Sequence, residues 1–349
     1  MKKELLSLLL VLVLAVMVPV SAAAAGGYDY ASGESFGDYE YEVLSNGTAS
    51  VKSYKGSAAT VNIPSSINGK KVTEIGYGAF AGSSTLKSVS IPDTVTKIGS
   101  SAFAVCDALK IINIPNSVTY IGSDAFYLTP WIENYPNDFV IVGNGVLVKY
   151  KGSSQSVAIP ATVTAIGYGA FSDTPQIKSV TIPNSVTLID GLAFFYTDLE
   201  QAVIPTSVTK IGEMAFQGCS KLTSITIPST VKQIDADVFY RCDNVTVKCR
   251  KNSVAEQYCK NNNIRYEASN GTDTPPADKD NIPKRKGDID GDGEITANDA
   301  LMILRASVGL TELNEKQKAA ADIDGDGSIT SADALIVLRY SVGAEKTFS

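Results

Sequence analysis

LKSVSIPDTVTKIGSSAF, residues 86–103, is the stretch on which the fold turns. Val89 and Ile91 alternate with Ser88 and Ser90, a period of two that places the apolar pair on one side of a short strand. Pro92 ends the strand, because proline has no N–H to offer a ladder. Ile98-Gly99 makes a second extended piece, and Ala102-Phe103 begins a tight helical turn whose ring plugs the core. The same lettering returns along the chain. Ile-Pro pairs end at Pro64, Pro92, Pro115, Pro160, Pro183, Pro205 and Pro228, with spacings of 28, 23, 45, 23, 22 and 23. Phe80, Phe103, Phe126, Phe171, Phe194, Phe216 and Phe239 keep the same beat. The gap of 45 holds two periods, so one unit there is degenerate and not absent. A fixed period near twenty residues means a solenoid: no unit buries its apolar side alone, and stacking makes the core continuous.

The slots of the unit have distinct chemistry. Cys106, Cys219 and Cys242 each fall three residues after the unit's Phe, where other units carry Ser83, Thr129, Thr174 or Thr197. A small residue repeated at one slot reads as a buried stack, not as a metal cluster. Cys249 and Cys259 lie outside this pattern, in the C-terminal cap, where a disulfide is allowed but not required. The outward strand positions are Ser88, Ser90, Ile111, Asn113, Ser179, Thr181, Gln201, Val203, Ser224 and Thr226. They make a flat, mostly uncharged face with no aromatic row for sugar rings and no basic row for anions. Residues 130–150, the degenerate unit, hold Trp131, Tyr135, Phe139 and Tyr150, with an Asn144-Gly145 hairpin between Phe139–Val142 and Val146–Tyr150. Such aromatics mark a site when exposed, but here they are expected to cover the edge of an irregular unit. A similar Asn46-Gly47 hairpin around Tyr41 and Val51 is expected to cap the first unit.

These units, read as L-x-S-V-x-I-P-x-S-V-T-x-I-G-x-x-A-F, resemble the bacterial surface-antigen (BspA-like) type of leucine-rich repeat over residues 36–267. The resemblance implies an extracellular interaction module of short parallel strands whose ligand, a protein, a cell surface or a carbohydrate, does not carry over from the family.

The ends of the chain read differently. Lys2 and Lys3 precede an apolar run over 5–18, broken by Pro19, and Ser21-Ala22-Ala23-Ala24-Ala25 offers small residues for cleavage: the pattern of a secretory signal peptide over 1–25. Residues 26–62 are then an N-terminal extension with the capping hairpin, 63–267 the repeat solenoid with its C-terminal cap, and 268–286 a linker rich in Pro, Asp, Asn and Lys. Residues 287–344 form a last module. No second apolar run is long enough to span a bilayer, so the exported chain is expected to enter no membrane. The net charge of −7 is carried wholly by residues 288–343, with 11 acidic and 4 basic side chains. Such a segment has no electrostatic reason to bind nucleic acid or an anionic membrane, and every reason to bind cations. The 349 residues include no His, which excludes Ser-His-Asp and Cys-His nucleophiles and His-ligated zinc.

DIDGDGEITAND (288–299) and DIDGDGSITSAD (322–333) decide what that last module does. Each places oxygen side chains at positions 1, 3, 5, 9 and 12, Gly at 6 and Ile at 8. Alternate residues of a tightly curled loop aim their oxygens at one centre, Gly293 or Gly327 permits the sharp turn, and position 7 supplies a backbone carbonyl. Two calcium ions are therefore expected. One is assigned to Asp288, Asp290, Asp292, the carbonyl of Glu294, Thr296 and Asp299. The other is assigned to Asp322, Asp324, Asp326, the carbonyl of Ser328, Thr330 and Asp333. Ile295 and Ile329 are expected to pair the loops through strand-like centres. Position 12 is Asp in both copies where an ordinary EF-hand has Glu, and only the linker precedes the first loop. Helices are expected over 298–308 and 332–342. They superpose at an offset of 34 through Leu301/Leu335, Ile303/Val337, Leu304/Leu338, Arg305/Arg339, Val308/Val342 and Gly309/Gly343, and their apolar residues at i, i+3 and i+7 are expected to form one buried stripe on each.

This duplicated loop–helix resembles a type I dockerin domain over residues 287–343. The resemblance implies a small all-α calcium-loop module that docks, with calcium bound, onto a cohesin of a scaffolding protein, as in cellulosome-like complexes that degrade polysaccharide. The family's partner-choosing positions are loop positions 10 and 11, here Ala297-Asn298 and Ser331-Ala332. Leu304 and Leu338 lie on the same helices, and Arg305 and Arg339 beside the apolar stripe are expected as rim contacts.

The expectation for the whole chain is a secreted, non-catalytic interaction protein. The alternative is a complex-associated carbohydrate-active enzyme working with carboxylates. A retaining glycosidase needs two of them about 5 Å apart in a groove, and Glu133, Asp138, Asp190 and Glu200 fall at unrelated phases of the repeat.

Overall fold

The computed structural model describes residues 34–270, 285–289, 295–309, 313 and 315–344. The signal-like segment and the linker core lie outside them. From Thr60 onward each repeat unit lays down two short strands, as at Ser88–Ser90 and Lys97–Ile98. Both strands of this unit pair in parallel with the same strands of the units on either side: Val89 lies opposite Val61 and Ile112, and Ile98 opposite Ile75 and Ile121. After Ser90 the ladder gains one more bond, from Ile91 N–H to Asn113 O at 3.1 Å, and stops at Pro92. Gly99 follows Ile98 because the turns stack too closely there for a side chain: a Cβ on Gly99 would stand 2.7 Å from the Gly76 carbonyl carbon.

The Phe rings form a column. Phe80, Phe103 and Phe126 stack at 5.0 and 5.8 Å, and Phe171, Phe194, Phe216 and Phe239 at 5.0, 5.1 and 5.9 Å. Each such ring taken out of water contributes roughly 1.5–3 kcal/mol. The segment around each ring is not the tight helical turn that the sequence suggests. Ser101, Asp124, Leu192, Met214 and Asp237 share one slot at φ between 53° and 57°, and Gly78 and Gly169 fill it elsewhere. Val105, Leu128, Asp173, Tyr196 and Arg241 share a second left-handed slot with Gly82 and Gly218. Two left-handed residues per unit break a helix and leave consecutive turns.

A hairpin replaces the degenerate unit, and its base repeats that of the N-terminal cap. Tyr39–Val43 pairs with Ala49–Tyr54 across Asn46-Gly47, and Phe139–Val142 with Val146–Tyr150 across Asn144-Gly145, with a register shift two residues from the start in both. Gly47 and Gly145 both take φ of +81°. Lys55 N–H donates to Asp38 O at 2.8 Å, and Lys151 N–H to Asp138 O at 2.7 Å. Tyr54 then stacks on Phe80 at 5.1 Å, and Tyr150 packs tilted against Phe171 at 5.2 Å. The buried side chains accordingly fall into two clusters that part between Val146 and Leu147, neighbours on one strand facing opposite sides.

Before that hairpin, Thr129 caps the short helix α1, Pro130–Glu133, with Pro at its first position. The helix lays Trp131, 9% exposed, over Phe126 at 4.7 Å, so the tryptophan covers the end of the first block as expected. At the other end, Ser253 caps α2, Val254–Asn261, which sets the Tyr258 hydroxyl to accept from Val238 N–H at 3.0 Å. All five cysteines are buried free thiols.

In the last module the helices are α3, Ala297–Ser307, α4, Glu315–Ala321, and α5, Ser331–Ser341. The sequence assigned no element to α4. Ile289, Ile295, Ala300, Ile303, Ile323, Ala334 and Val337 pack in one cluster with Leu313, Ala320 and Ala321, and Ile329 lies against it. Ile295 and Ile329 thus share a core, but neither belongs to a strand or bridge, a correction to the expected pairing. Among the described residues no helix is long and apolar enough to cross a membrane.

Candidate metal loops and docking face

In the second loop, one carboxylate oxygen each from Asp322, Asp324 and Asp333 lie within 4.8 Å of one another. The backbone is curled by the carboxylates themselves. Asp322 accepts from Gly325 N–H at 2.9 Å and Gly327 N–H at 3.1 Å, Asp324 from Asp326 N–H at 3.1 Å, and Asp326 from Ser328 N–H at 2.7 Å. Asp326 and Ser328 are exposed and stand outside the three-carboxylate group. The donor set is all oxygen and carries several negative charges, which fits a hard divalent cation such as calcium.

Asp at position 12 joins the two ends of the loop. One Asp333 oxygen accepts from Ile323 N–H at 2.8 Å, and the other from Thr330 N–H at 2.9 Å and the Thr330 hydroxyl at 3.2 Å. Burial raises the Asp333 carboxyl, but the amides of Thr330, Ile323 and Asp324 outweigh it and hold it below the usual carboxylate range. Thr330 is also the N-cap of α5, in a reciprocal capping box with Asp333. The first loop repeats this clamp: Asp299 accepts from Ile289 N–H at 2.7 Å, Thr296 N–H at 2.8 Å and the Thr296 hydroxyl at 3.2 Å. Asp288 and Asp299 are both buried there. Asp290, Asp292 and Glu294 lie outside the described residues.

The helices that leave the loops do not bury one apolar stripe each, as the sequence suggests. Ile303 and Val337 are fully buried, whereas Leu304, Leu335 and Leu338 are 42%, 51% and 42% exposed, and Val308 and Val342 more so. Successive helical residues stand about 100° apart, so Ile303 and Leu304 cannot face the same core. The leucines instead rim an apolar groove of about 440 Å³ between α3 and α5. Four pairs line it, each at an offset of 34: Ala297/Ser331, Ala300/Ala334, Leu301/Leu335 and Leu304/Leu338. The small floor residues Ala300 and Ala334 leave room for an incoming side chain.

The structure brings Ala297, Leu304, Ser331 and Leu338 together around one groove. It adds Ala300, Leu301, Ala334 and Leu335, whose duplication at an offset of 34 was the signal for them. Ala332, Arg305 and Arg339 stand outside the groove lining; Ala332 and Arg339 are exposed and Arg305 half-buried. The Asn298 side chain lies outside the described set. Of the scattered acids in the repeat region, Glu133 meets Lys149 at 3.6 Å and Asp190 accepts from Gly191 N–H at 2.8 Å.

The BspA type leucine rich repeat region matches this chain in six copies, over residues 52–144 and 142–265. The dockerin type I domain matches residues 286–340. A search of curated proteins found no match. Among solved structures, a leucine rich cell surface protein from Faecalibacterium prausnitzii is 25% identical, over 63% of this chain and 77% of that one, with a TM-score of 0.36. A leucine rich repeat protein of T. pallidum is 21% identical, over 68% of this chain and 100% of that one, with a TM-score of 0.32. A leucine-rich repeat protein from Bacteroides ovatus is 24% identical, over 62% and 70%, with a TM-score of 0.31.

Proposed function

The chain belongs to the BspA-type leucine-rich repeat proteins and ends in a type I dockerin domain, and on that premise we propose that it is a non-catalytic extracellular adaptor. Its signal peptide over 1–25 directs export, the repeats over 63–267 hold a ligand, and the module over 287–344 docks onto a cohesin of a scaffolding protein. The scaffold is that of a cellulosome-like, polysaccharide-degrading complex. The ligand of the repeats is a protein, a cell surface or a carbohydrate.

The observation that carries this reading is the two-fold groove of Leu301, Leu304, Leu335 and Leu338, an apolar face left in water by a module with few apolar residues to spare. The residues proposed to hold two calcium ions are those of the two loops, 288–299 and 322–333. Bound calcium would neutralise carboxylates that otherwise repel one another and so supply folding energy to a small module. The chain's own residues do the rest. Asp299 and Asp333 clamp each loop to the helix that leaves it, and the clamped helices hold the four leucines around one groove. Of the four pairs that line the groove only Ala297 and Ser331 differ; the other three are identical in the two halves.

The test is capture by the full chain, immobilised, of purified type I cohesins and of scaffolds from the extracellular fraction, in calcium and in chelator. Capture in calcium alone supports the reading. Equal capture in chelator, or capture unaffected by Leu304→Glu with Leu338→Glu, overturns it.

A further inference from the structure

Docking makes no use of the cysteines, and three of the five share one slot of the solenoid. In that slot each side chain donates to a ring-residue carbonyl: Cys106 Sγ to Phe80 O at 3.1 Å, Cys219 Sγ to Phe194 O at 3.1 Å and Cys242 Sγ to Phe216 O at 3.0 Å. The Thr197 hydroxyl donates to Phe194 O of its own turn at 3.1 Å, the carbonyl that Cys219 reaches from the next turn. The slot stacks as tightly as the rings do, since Thr197 Oγ1 stands 3.3 Å from Cys219 Sγ in the next turn.

One step further along this column is Cys242. The two turns that carry Cys219 and Cys242 are tied by Phe216 N–H to Val238 O at 3.1 Å and Gly218 N–H to Tyr240 O at 2.9 Å. Parallel neighbours so tied stand about 4.8 Å apart, inside the Cα window of about 4.4–6.8 Å that a disulfide requires. Cys106 has no such neighbour, because Ser83 and Thr129 flank it in the column. Cys249 and Cys259 sit on different elements, a strand and α2, outside the column.

We propose that Cys219 and Cys242 are an inter-turn disulfide site, closed by exchange with a small-molecule disulfide. The Cys219 thiolate attacks one sulfur of the reagent, whose S–S bond breaks and releases one reagent thiolate, which takes up a proton. Cys242 then gives up its proton and attacks the Cys219 sulfur of the mixed disulfide, releasing the second reagent thiol. Two protein thiols are oxidised by two electrons, and one reagent disulfide is reduced to two thiols. In the folded pair the Cys242 side chain lowers the Cys219 thiol, and Cys219 together with burial raises Cys242, which favours Cys219 as the first nucleophile. Burial raises the Cys249 thiol and pushes Cys259 up to about 12, so neither is a ready nucleophile. Both sulfurs of the proposed pair are buried, so exchange takes place as the last turns close or open, and the finished bond is shielded.

The full chain is refolded in a buffer of oxidised and reduced glutathione, and in parallel in reductant alone. Trypsin, without reduction, separates Cys219 on the 211–221 peptide from Cys242 on 242–248, Cys249 on 249–250 and Cys259 on 252–260. The expected product is 211–221 linked to 242–248, with mass lower by about two hydrogens and three thiols left to alkylate. Cys219→Thr, which places the residue of Thr197 in the same slot, should abolish the link, and Cys249→Ser should leave it in place. Five alkylated thiols after oxidative refolding, or a link confined to 249–250 and 252–260, overturns the proposal.

Discussion

Tyr150 holds at the head of the second block of turns the place that Tyr54 holds at the head of the first. Each ends a hairpin, packs its ring against the first Phe of its block, and donates its N–H to an alanine carbonyl, Ala79 at 2.8 Å and Ala170 at 2.7 Å. A solenoid unit is stabilised mainly by its neighbours, and a cap that starts a ladder anew divides that coupling.

The two blocks should accordingly unfold as separable cooperative units. Tyr150→Ala removes a ring that is 5% exposed and is expected to cost about 3 kcal/mol. Hydrogen exchange of the full chain is the measurement. Loss of protection confined to residues after 147 is the expected result, and equal loss around Phe80 and Phe103 would refute the division.

The left-handed slots predict stabilising substitutions. Leu128 sits at φ +54° with its side chain 54% exposed, so Leu128→Gly relieves the backbone and loses little packing. A gain of about 1 kcal/mol is expected from denaturant midpoints. Gly218→Ala should do the reverse, because φ is +75° and the new Cβ would stand 2.8 Å from the Tyr196 ring.

Removing a carboxylate from each loop should undo the last module alone. With Asp288→Ala and Asp322→Ala together, the helical far-ultraviolet signal of α3–α5 and cohesin capture are both expected to disappear, as they should in chelator, while the strand signal of the repeats persists. Capture that survives in the double variant would remove calcium from the account.

The groove predicts a graded loss. Leu304→Ala or Leu338→Ala alone should weaken cohesin binding by about tenfold, and both together by about 100-fold, since a leucine side chain buried at an interface contributes roughly 1.5–3 kcal/mol. Binding isotherms in calcium give the numbers. Val308→Ala, outside the groove, serves as the control and should bind as the parent chain does.

Much of this molecule is legible in one dimension because a repeat makes each residue's surroundings local. The Ile-Pro and Phe periods specify the strands, the ring column and the cysteine slot, since the neighbour above a residue is always the residue one period on. The loop spacing likewise places the oxygens of Asp322, Asp324 and Asp333 together, because a short curled loop meets only itself. Three features had to wait for the tertiary structure. The hairpin at 139–150 reads as a local turn, and only the packing of Tyr150 against Phe171 makes it a second cap. The left-handed backbone at Leu128, Leu192 and Met214 is imposed by the ladder, against the preference of those residues. Ile303 and Leu304 are equally apolar by sequence. Which of them is covered was decided by where α5 packs, since a helix with apolar residues on two faces can turn only one of them to a single neighbour.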